Sequence, residues 1–586
     1  MNAIKHALKM AVVAVCMTAL AASSAWGFKG DNGILQKCRS QAFKNVIVII
    51  PDGCDETVQT LARWYKGEDL QVDKMQNAAV KIHMANSVIT GSAAAATAFA
   101  TAQKTTVRFL GVGPREDDLL SIYDPNDMAP GYAPVASILE AAKMKGMATG
   151  IAVTSRVTHA TPAAFACHIE DRGWDNDIME HMVYNDIDVV FGGGARHLIP
   201  DDEAYTTSFG ATWKGKRTDG ENLMDVLLKR GYEFVDNRDD MLKLNKGKVW
   251  GLFDDSHMQP DIDRKHFAEH EPSLAEMVQK AIELLSYNPR GFFLMVEASQ
   301  VDWAGHNNDP IYMLTDFIAY DDAVKVACDF AEKDGQTLVL AYPDHNTGGM
   351  KIGHYTTAMH YTETTVEDLV KPLKGMTITS GGLVNKMDDT ADNAELIAKV
   401  AEYWGLDITQ DDVAEIRELE PYVGLNYALA RVLSWNYTVI GWTTHGHNGE
   451  TVPVWVCGAD APVGTIDNTD LALIAAEALG VDLDYVTSNL YVDIKTVTNN
   501  WKIEVELVEE CDEETGICTT PGEFEGNGVL WVKNAEFPIS KDIMKYKGKT
   551  FKLPGVTVYA SGDDHVDETV YISRKAVRLL RWLRQL

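Results

Sequence analysis

The chain holds 586 residues, 46% hydrophobic and 24% charged, with 53 basic against 85 acidic side chains and a formal net charge of −32. This composition excludes a largely disordered or collagen-like chain, and the acidic excess argues against broad nucleic-acid binding through phosphate contacts. It suits cationic ligands, metal ions included, and any anionic substrate would need a local positive site.

At the N-terminus, Lys5, His6 and Lys9 precede an apolar run over 10–22, and small residues follow at Ser23-Ser24-Ala25 and Ala25-Trp26-Gly27. The pattern predicts a secretory signal over 1–25 and a periplasmic or secreted protein. The run is too short to span a bilayer comfortably, and no later stretch resembles a transmembrane helix, so no stable membrane span is expected. Cys511 and Cys518 bracket a short polar loop that a disulfide could close in an oxidising compartment. The other cysteines, Cys54 among them, read as mostly buried thiols.

Short runs rich in β-branched residues at 46–50, 148–153, 189–191, 292–296, 337–341 and 452–456 read as buried strands. Helical patterns at 134–145, 273–286 and 318–333 alternate with them. The rhythm predicts an α/β fold, three-layer α/β/α with a mainly parallel central sheet. Ligands then gather beyond the carboxyl ends of the strands. The stretch 351–442 breaks the rhythm between two core strands and reads as an inserted cap within a domain spanning 26–497. From 498 to 586 the sequence turns short-stranded and turn-rich, a small β-rich appendage ending in a basic helix. There Arg574, Lys575, Arg578, Arg581 and Arg584 flank Val577, Leu580 and Leu583, as expected of a helix docked on an acidic body rather than on a membrane surface.

Polar residues recur where the strands stop. Asp52 follows the first, Glu297 closes the run 292–296 ahead of Asp302 and His306, Asp344-His345 follow the run 337–341, and His447 lies five residues before Val452. Carboxylates and imidazoles of this kind suit zinc, whereas magnesium prefers an all-oxygen site. Taken singly, each reads more readily as a helix cap or a satisfied core histidine. Gathered at one edge, Asp52, Glu297, Asp302 and Asp344 would repel one another severely without cations. The alanine-rich run after Thr90-Gly91 is a strong helix former with Ser92 at its start, where unsatisfied amides and the positive dipole end can hold a phosphate. Helix statistics alone make Ser92 an N-cap; it becomes a nucleophile only with a base or metal beside it. No Gly-x-Ser-x-Gly elbow surrounds it.

In order and spacing, Asp52-Gly53, Thr90-Gly91-Ser92-Ala93-Ala94, His159-Ala160-Thr161-Pro162, Arg172, the stretch from Glu297 to His306, Asp344-His345 and His447-Asn448-Gly449-Glu450 resemble the alkaline phosphatase family over about 45–479. The resemblance implies hydrolysis of small-molecule phosphate monoesters through a phosphoserine at Ser92, with two Zn2+ and one Mg2+. It implies Asp302, His306 and His447 for the first zinc, and Asp52, Asp344 and His345, joined by Ser92 during turnover, for the second. Asp52, Thr161 and Glu297, with His159 alongside, would form the magnesium-type site, and Arg172 matches the family's phosphate-gripping arginine. The family is often dimeric, so a homodimer is among the expected assemblies.

The sequence departs from the family pattern in places. Gly91 stands where many members carry an aspartate that helps orient the arginine, His159 at a position that is Asp in some members and His in others, and Trp303 where others carry Lys or His. Glu450 is expected to support His447. His445 competes with His447 as a ligand, but His447 fits the family spacing better. Two alternatives stay open: a phosphodiesterase of the same superfamily, separated by one arginine and pocket shape, and a non-catalytic metal- or phosphate-binding protein. A sulfatase would need a Cys/Ser-x-Pro-x-Arg motif, which residues 92–96 lack.

Overall fold

The β-branched runs form the middle of a ten-stranded sheet. In chain order its strands are β1 (Asn45–Pro51), β2 (Gln76–Lys81), β3 (Ala148–Arg156), β4 (Val189–Gly193), β5 (Glu233–Val235), β6 (Val249–Leu252), β7 (Phe292–Ala298), β8 (Thr337–Ala341), β9 (Val452–Cys457) and β10 (Thr465–Asp467). Across the sheet they run β10-β2-β9-β8-β1-β7-β3-β4-β6-β5. β1 lies between β8 and β7, parallel to both. Parallel pairing continues through β3, β4, β6 and β5. β9 runs antiparallel to β8 and to β2. Every residue of β1, β7 and β8 is buried, as a sheet covered on both faces requires.

The two faces follow the strand period of two. Ile47 and Ile49 of β1 and Phe292, Leu294 and Val296 of β7 share one core with the helices Leu274–Leu285 and Pro310–Asp334. Helices Ile138–Met144 and Asn468–Leu479 pack against β3, β7 and β1 without entering that core, so they cover the other face, where the helix Ser92–Thr101 packs on Asn468–Leu479. Ser273 and Glu276 close a capping box on the first of these helices. Asp309 caps the long helix, with Pro310 at its first position, so it begins well before the stretch 318–333 that periodicity marks.

This computed structural model describes residues 43–586 apart from 389–391, 506, 512–517, 525–527 and 563–567, and no side chain over 506–527. The predicted signal over 1–25 lies outside the described residues, as do the Cys511 and Cys518 side chains of the expected disulfide; their backbones stand opposite each other in an antiparallel pair.

Between β8 and β9 the described residues form the helices Val366–Gly375, Ser380–Val384, Asn393–Trp404, Gln410–Val423 and Leu425–Tyr437. Leu373, Val400, Trp404, Ile416 and Leu429 join the core on one sheet face, so this stretch extends the hydrophobic centre of the body. Its base is closed where Lys351–Ile352 pairs with Ile440–Gly441. Further on, Trp501–Glu504, Val529–Val532, Ala535–Pro538, Ile543–Tyr546 and Lys549–Lys552 form an antiparallel sheet over a separate core of Leu530, Phe537 and Met544, to which the helix Arg574–Trp582 adds Ala576, Val577 and Leu580. Arg574, Lys575, Arg578, Arg581 and Arg584 are exposed. No helix of the described residues is long and apolar enough to cross a membrane.

Candidate active site

Parallel strands deliver the site to one edge of the sheet. Asp52 follows β1, Glu297 lies on β7 opposite Ile50, Asp344 and His345 follow β8, and His159 and Thr161 follow β3. His447 reaches the same edge by preceding the antiparallel β9. A two-residue ladder pairs Asn346–Thr347 with His447–Asn448, setting Thr347 opposite His447. Gly53 makes the turn after Asp52 at φ +74°, and a Cβ there would stand 2.6 Å from Asp302 Oδ1 and 2.7 Å from Thr347 Oγ1. Gly53→Ala therefore both strains the backbone and displaces Asp302. A loss of about 100-fold in kcat/KM is expected, and steady-state kinetics at unchanged activity would show that Asp302 is not needed where it stands.

Of four groups among the described residues whose ligand atoms lie within 4.8 Å of one another, three belong to this site: Asp302, His306 and His447; Asp52, Asp344 and His345; and Asp52, His159 and Glu297; the fourth is Glu180, Asp219 and Glu221. Thr161 joins the third, its hydroxyl donating to Asp52 Oδ2 at 3.2 Å. Proton bookkeeping tests whether cations fit. His306 Nδ1 bonds the His445 carbonyl, and His447 Nδ1 bonds the Thr90 carbonyl at 2.9 Å. Carbonyls only accept, so both Nδ1 atoms carry a proton, and each ring in its neutral form turns an Nε2 lone pair inward. Those two Nε2 atoms face each other at 3.3 Å, with Asp302 oxygens 3.4 and 3.6 Å away. In the second group Thr347 donates to Asp302 Oδ1 at 2.6 Å, so its hydroxyl oxygen is left to accept from His345 Nδ1 at 3.2 Å. His345 Nε2 then turns a lone pair toward Asp344 Oδ2 at 3.0 Å and Asp52 Oδ1 at 3.6 Å. Asp52 Oδ1, Asp344 Oδ2 and Glu297 Oε1 are buried without a hydrogen-bond partner. Carboxylate oxygens and imidazole lone pairs aimed at one another fit metal ions.

The electrostatics agree. Burial, reinforced by Asp344, Asp302 and Glu297, pushes the Asp52 carboxyl well above the usual range. Burial foremost, with Asp344 adding to it, pushes Glu297 up to about 7. Asp302 goes the other way: despite burial, His306, His345 and His447 hold it below the carboxylate range. Burial, then the neighbouring His345, lowers His447 to about 4, so this ring favours its neutral form near neutral pH.

Ser92 is the first residue of its helix and does not cap it. The N-cap is Gly91, with no side-chain capping bond, and Ser92 Oγ lies 3.2 Å from His345 Nε2. The first-turn amides are thus left for an incoming anion, with the serine oxygen beside the second group. Arg172 is half-buried at the rim, its guanidinium donating to His159 Nε2 at 2.9 Å; burial, then Arg172, holds His159 well below its ordinary value, whereas Asp302 raises His306 in spite of burial.

Several neighbours carry no sequence signal. Thr347 orders two groups through one hydroxyl, and Ser155 donates to Glu297 Oε2 at 3.3 Å. His257 packs edge-on against Trp303 and His159 and meets Arg156 at 2.7 Å. These are neutral or aromatic side chains outside any motif; only their place near the ends of strands could have drawn attention. Glu450 does not support His447 as expected: it accepts from Asn346 at 2.7 Å and pairs with Lys351. His445 uses Nδ1 on the His306 carbonyl at 2.7 Å, and His447 is the histidine that joins the acid.

A family model described as alkaline phosphatase matches residues 43–481. The chain belongs to the alkaline phosphatase family. It is 32% identical over 465 residues to alkaline phosphatase 3 of Bacillus subtilis (strain 168), spanning 76% of this chain and 90% of that one. Among solved structures, the cold-active alkaline phosphatase of the psychrophile Shewanella sp. superposes with a TM-score of 0.61 at 27% identity, over 74% of this chain and 99% of that one. The Thermus thermophilus alkaline phosphatase shares the fold with a TM-score of 0.66 at 24% identity, over 78% and 96%. As a member of this metal-dependent family the chain is a phosphomonoesterase, acting on small-molecule phosphate monoesters. The family match ends before the C-terminal antiparallel sheet.

Proposed function

We propose that this alkaline phosphatase family member is an exported enzyme that hydrolyses monoesters through a covalent phosphoserine at Ser92, using two zinc ions and a third, magnesium-type ion. The convergence of imidazole lone pairs and unpartnered carboxylate oxygens beside the Ser92 hydroxyl carries the reading. Asp302, His306 and His447 would hold one zinc, and Asp52, Asp344 and His345 the other, a nitrogen–oxygen donor set that suits it. Asp52, Glu297 and Thr161 offer the oxygen-rich surroundings that magnesium prefers. Bound there, the ions would supply Lewis acidity, lowering the pKa of the serine and of water and stabilising the leaving oxygen.

The chain's own residues do the rest. The helix start directs its free amides at the phosphate. Ser92 Oγ, rigid on an alanine-rich helix, gives up its proton and attacks phosphorus in line as the bond to the alcohol breaks; water then attacks from the side the alcohol vacated, opposite Ser92, releasing phosphate and restoring the serine hydroxyl. Arg172 turns its paired N–H groups to the non-bridging oxygens. His159 is constrained by that partner: while Nε2 accepts from Arg172, its one proton sits on Nδ1, so it can donate a lone pair to a cation only when Arg172 releases it. Cationic groups concentrated in one pit answer the problem posed by the acidic surface.

The division from a diesterase is tested by assaying purified protein on p-nitrophenyl phosphate and on bis(p-nitrophenyl) phosphate, with metal content measured on the same sample. Preference for the monoester, with zinc near two per chain, is expected. Preference for the diester would move the protein to the alternative activity, and bound metal without turnover would make it a binding protein. Export rests on the basic and apolar pattern before residue 26, and N-terminal sequencing of the mature protein checks it.

A further inference from the structure

Arg172 makes no ion pair among the described residues; its guanidinium donates to the neutral His159 ring. Where its guanidinium points is therefore decided by the segment that carries it. That segment is tied on one side to the nucleophile helix: Leu110 and Ile169 exchange backbone bonds of 2.8 and 2.9 Å, and Thr97, on the Ser92 helix, bonds Phe109 and Gly111 through its hydroxyl. Asp171 is clasped by Arg108 through two bonds of 2.7 and 2.6 Å, a pair open to solvent and weakened accordingly.

The other side is held from far along the chain. Glu170 accepts from the Ser561 backbone N–H at 2.7 Å on one oxygen and from the Ser561 hydroxyl on the other. Ser561 is 2% exposed, and it directly follows the strand Val558–Ala560, which pairs with Thr569–Ile572. Just past Arg172, the helix Asp175–Tyr184 is gripped as well: Lys541 lies 3.1 Å from the buried Glu180 and 2.7 Å from Glu221. The C-terminal region thus holds the chain both before and after Arg172, although it lies beyond the family match.

We infer that the C-terminal region is a positioning element for the phosphate clamp, with Glu170 and Ser561 as positioning residues that set the enzyme's affinity for the phosphoryl group of substrate and product. The inference rests on the proposed role of Arg172. A carboxylate accepting two hydrogen bonds, one from a buried hydroxyl, is a strong tether. Cutting it frees the residue two positions from Arg172 while leaving the metal-binding side chains and Ser92 untouched.

Full-length Glu170→Ala, Glu170→Gln, Ser561→Ala, Arg172→Ala and Glu170→Ala/Arg172→Ala proteins test it by KM and kcat on p-nitrophenyl phosphate and Ki for inorganic phosphate. Glu170→Ala should raise KM and Ki together by about tenfold with kcat within about twofold. Glu170→Gln should restore most of the affinity, since its amide oxygen still accepts the Ser561 N–H. Ser561→Ala keeps that N–H and should give a smaller rise, about threefold, which serves if Glu170→Ala folds poorly. In the Arg172→Ala background the Glu170 substitution should change Ki no further. An unchanged Ki in both Glu170→Ala and Ser561→Ala, or the same increase with Arg172 absent, overturns the inference. An Arg172→Ala enzyme with unaltered Ki instead overturns the clamp itself, a separate failure.

Discussion

Ser92→Ala should lower kcat by about 10^4-fold or more while zinc content and melting temperature stay near those of the parent. Alanine is the best helix former, and Ser92 makes no capping bond, so the helix loses nothing by the change. What disappears is the hydroxyl 3.2 Å from His345 Nε2, and with it the proposed acceptor of the phosphoryl group. Acid-quenched parent enzyme should yield a phosphorylated Ser92 peptide by mass spectrometry, and the variant none. Residual turnover within about tenfold of the parent would mean that water attacks the ester directly and that Ser92 serves only to bind.

Removal of metal is expected to cost stability as well as activity. A set of ions bound at 1,000 times their dissociation constant contributes about 4 kcal/mol per site, and without them the buried oxygens of Asp52, Asp344 and Glu297 face one another unpartnered. The sign of the pH effect follows from the protons those groups then take up. In the metal-free fold Glu297 is raised to about 7 and Asp52 is also raised, whereas both titrate near the ordinary carboxylate range once unfolded. Between that range and pH 7 these two carboxyls hold more protons in the fold than in the unfolded chain, so their contribution to metal-free stability falls as pH rises through the window. Metal must displace the same protons, so its stabilising effect grows across the window and levels off above it. Calorimetry with and without chelator from about pH 5 to pH 8 reads this directly. A metal-dependent shift that is flat with pH, or that shrinks as pH rises, would show that these carboxylates do not hold the ions.

The centre of the fold was legible because its strands are runs of valine, isoleucine and phenylalanine buried on both faces. The margins were not. β2 is Gln76–Lys81 with only Val80 fully buried, while β5 and β10 are three residues each, too short for a period to show. Nor could composition reveal that β9 is antiparallel, since a central strand buries the same side chains whichever way it runs. The helices over 351–442 were masked by proline: Pro372 and Pro421 both lie within helical spans, where residue preferences argue against them. At the site, charged and imidazole side chains announced themselves by order and spacing. Thr347 and Ser155 did not, because a hydroxyl's importance lies in what it faces. The segment around Arg172 shows the same limit, as its partner Ser561 belongs to a region with no resemblance to guide the eye.

The reversed direction of β9 has a consequence for the making of the enzyme. During synthesis Asp52 emerges early, but His447 can take its place opposite Thr347 only once the strand that follows has joined the sheet. A nascent chain arrested anywhere before Val452–Cys457 cannot assemble the pocket, however well its earlier strands have packed. The pocket is thus completed only when the chain from Asp52 through Cys457 is in place.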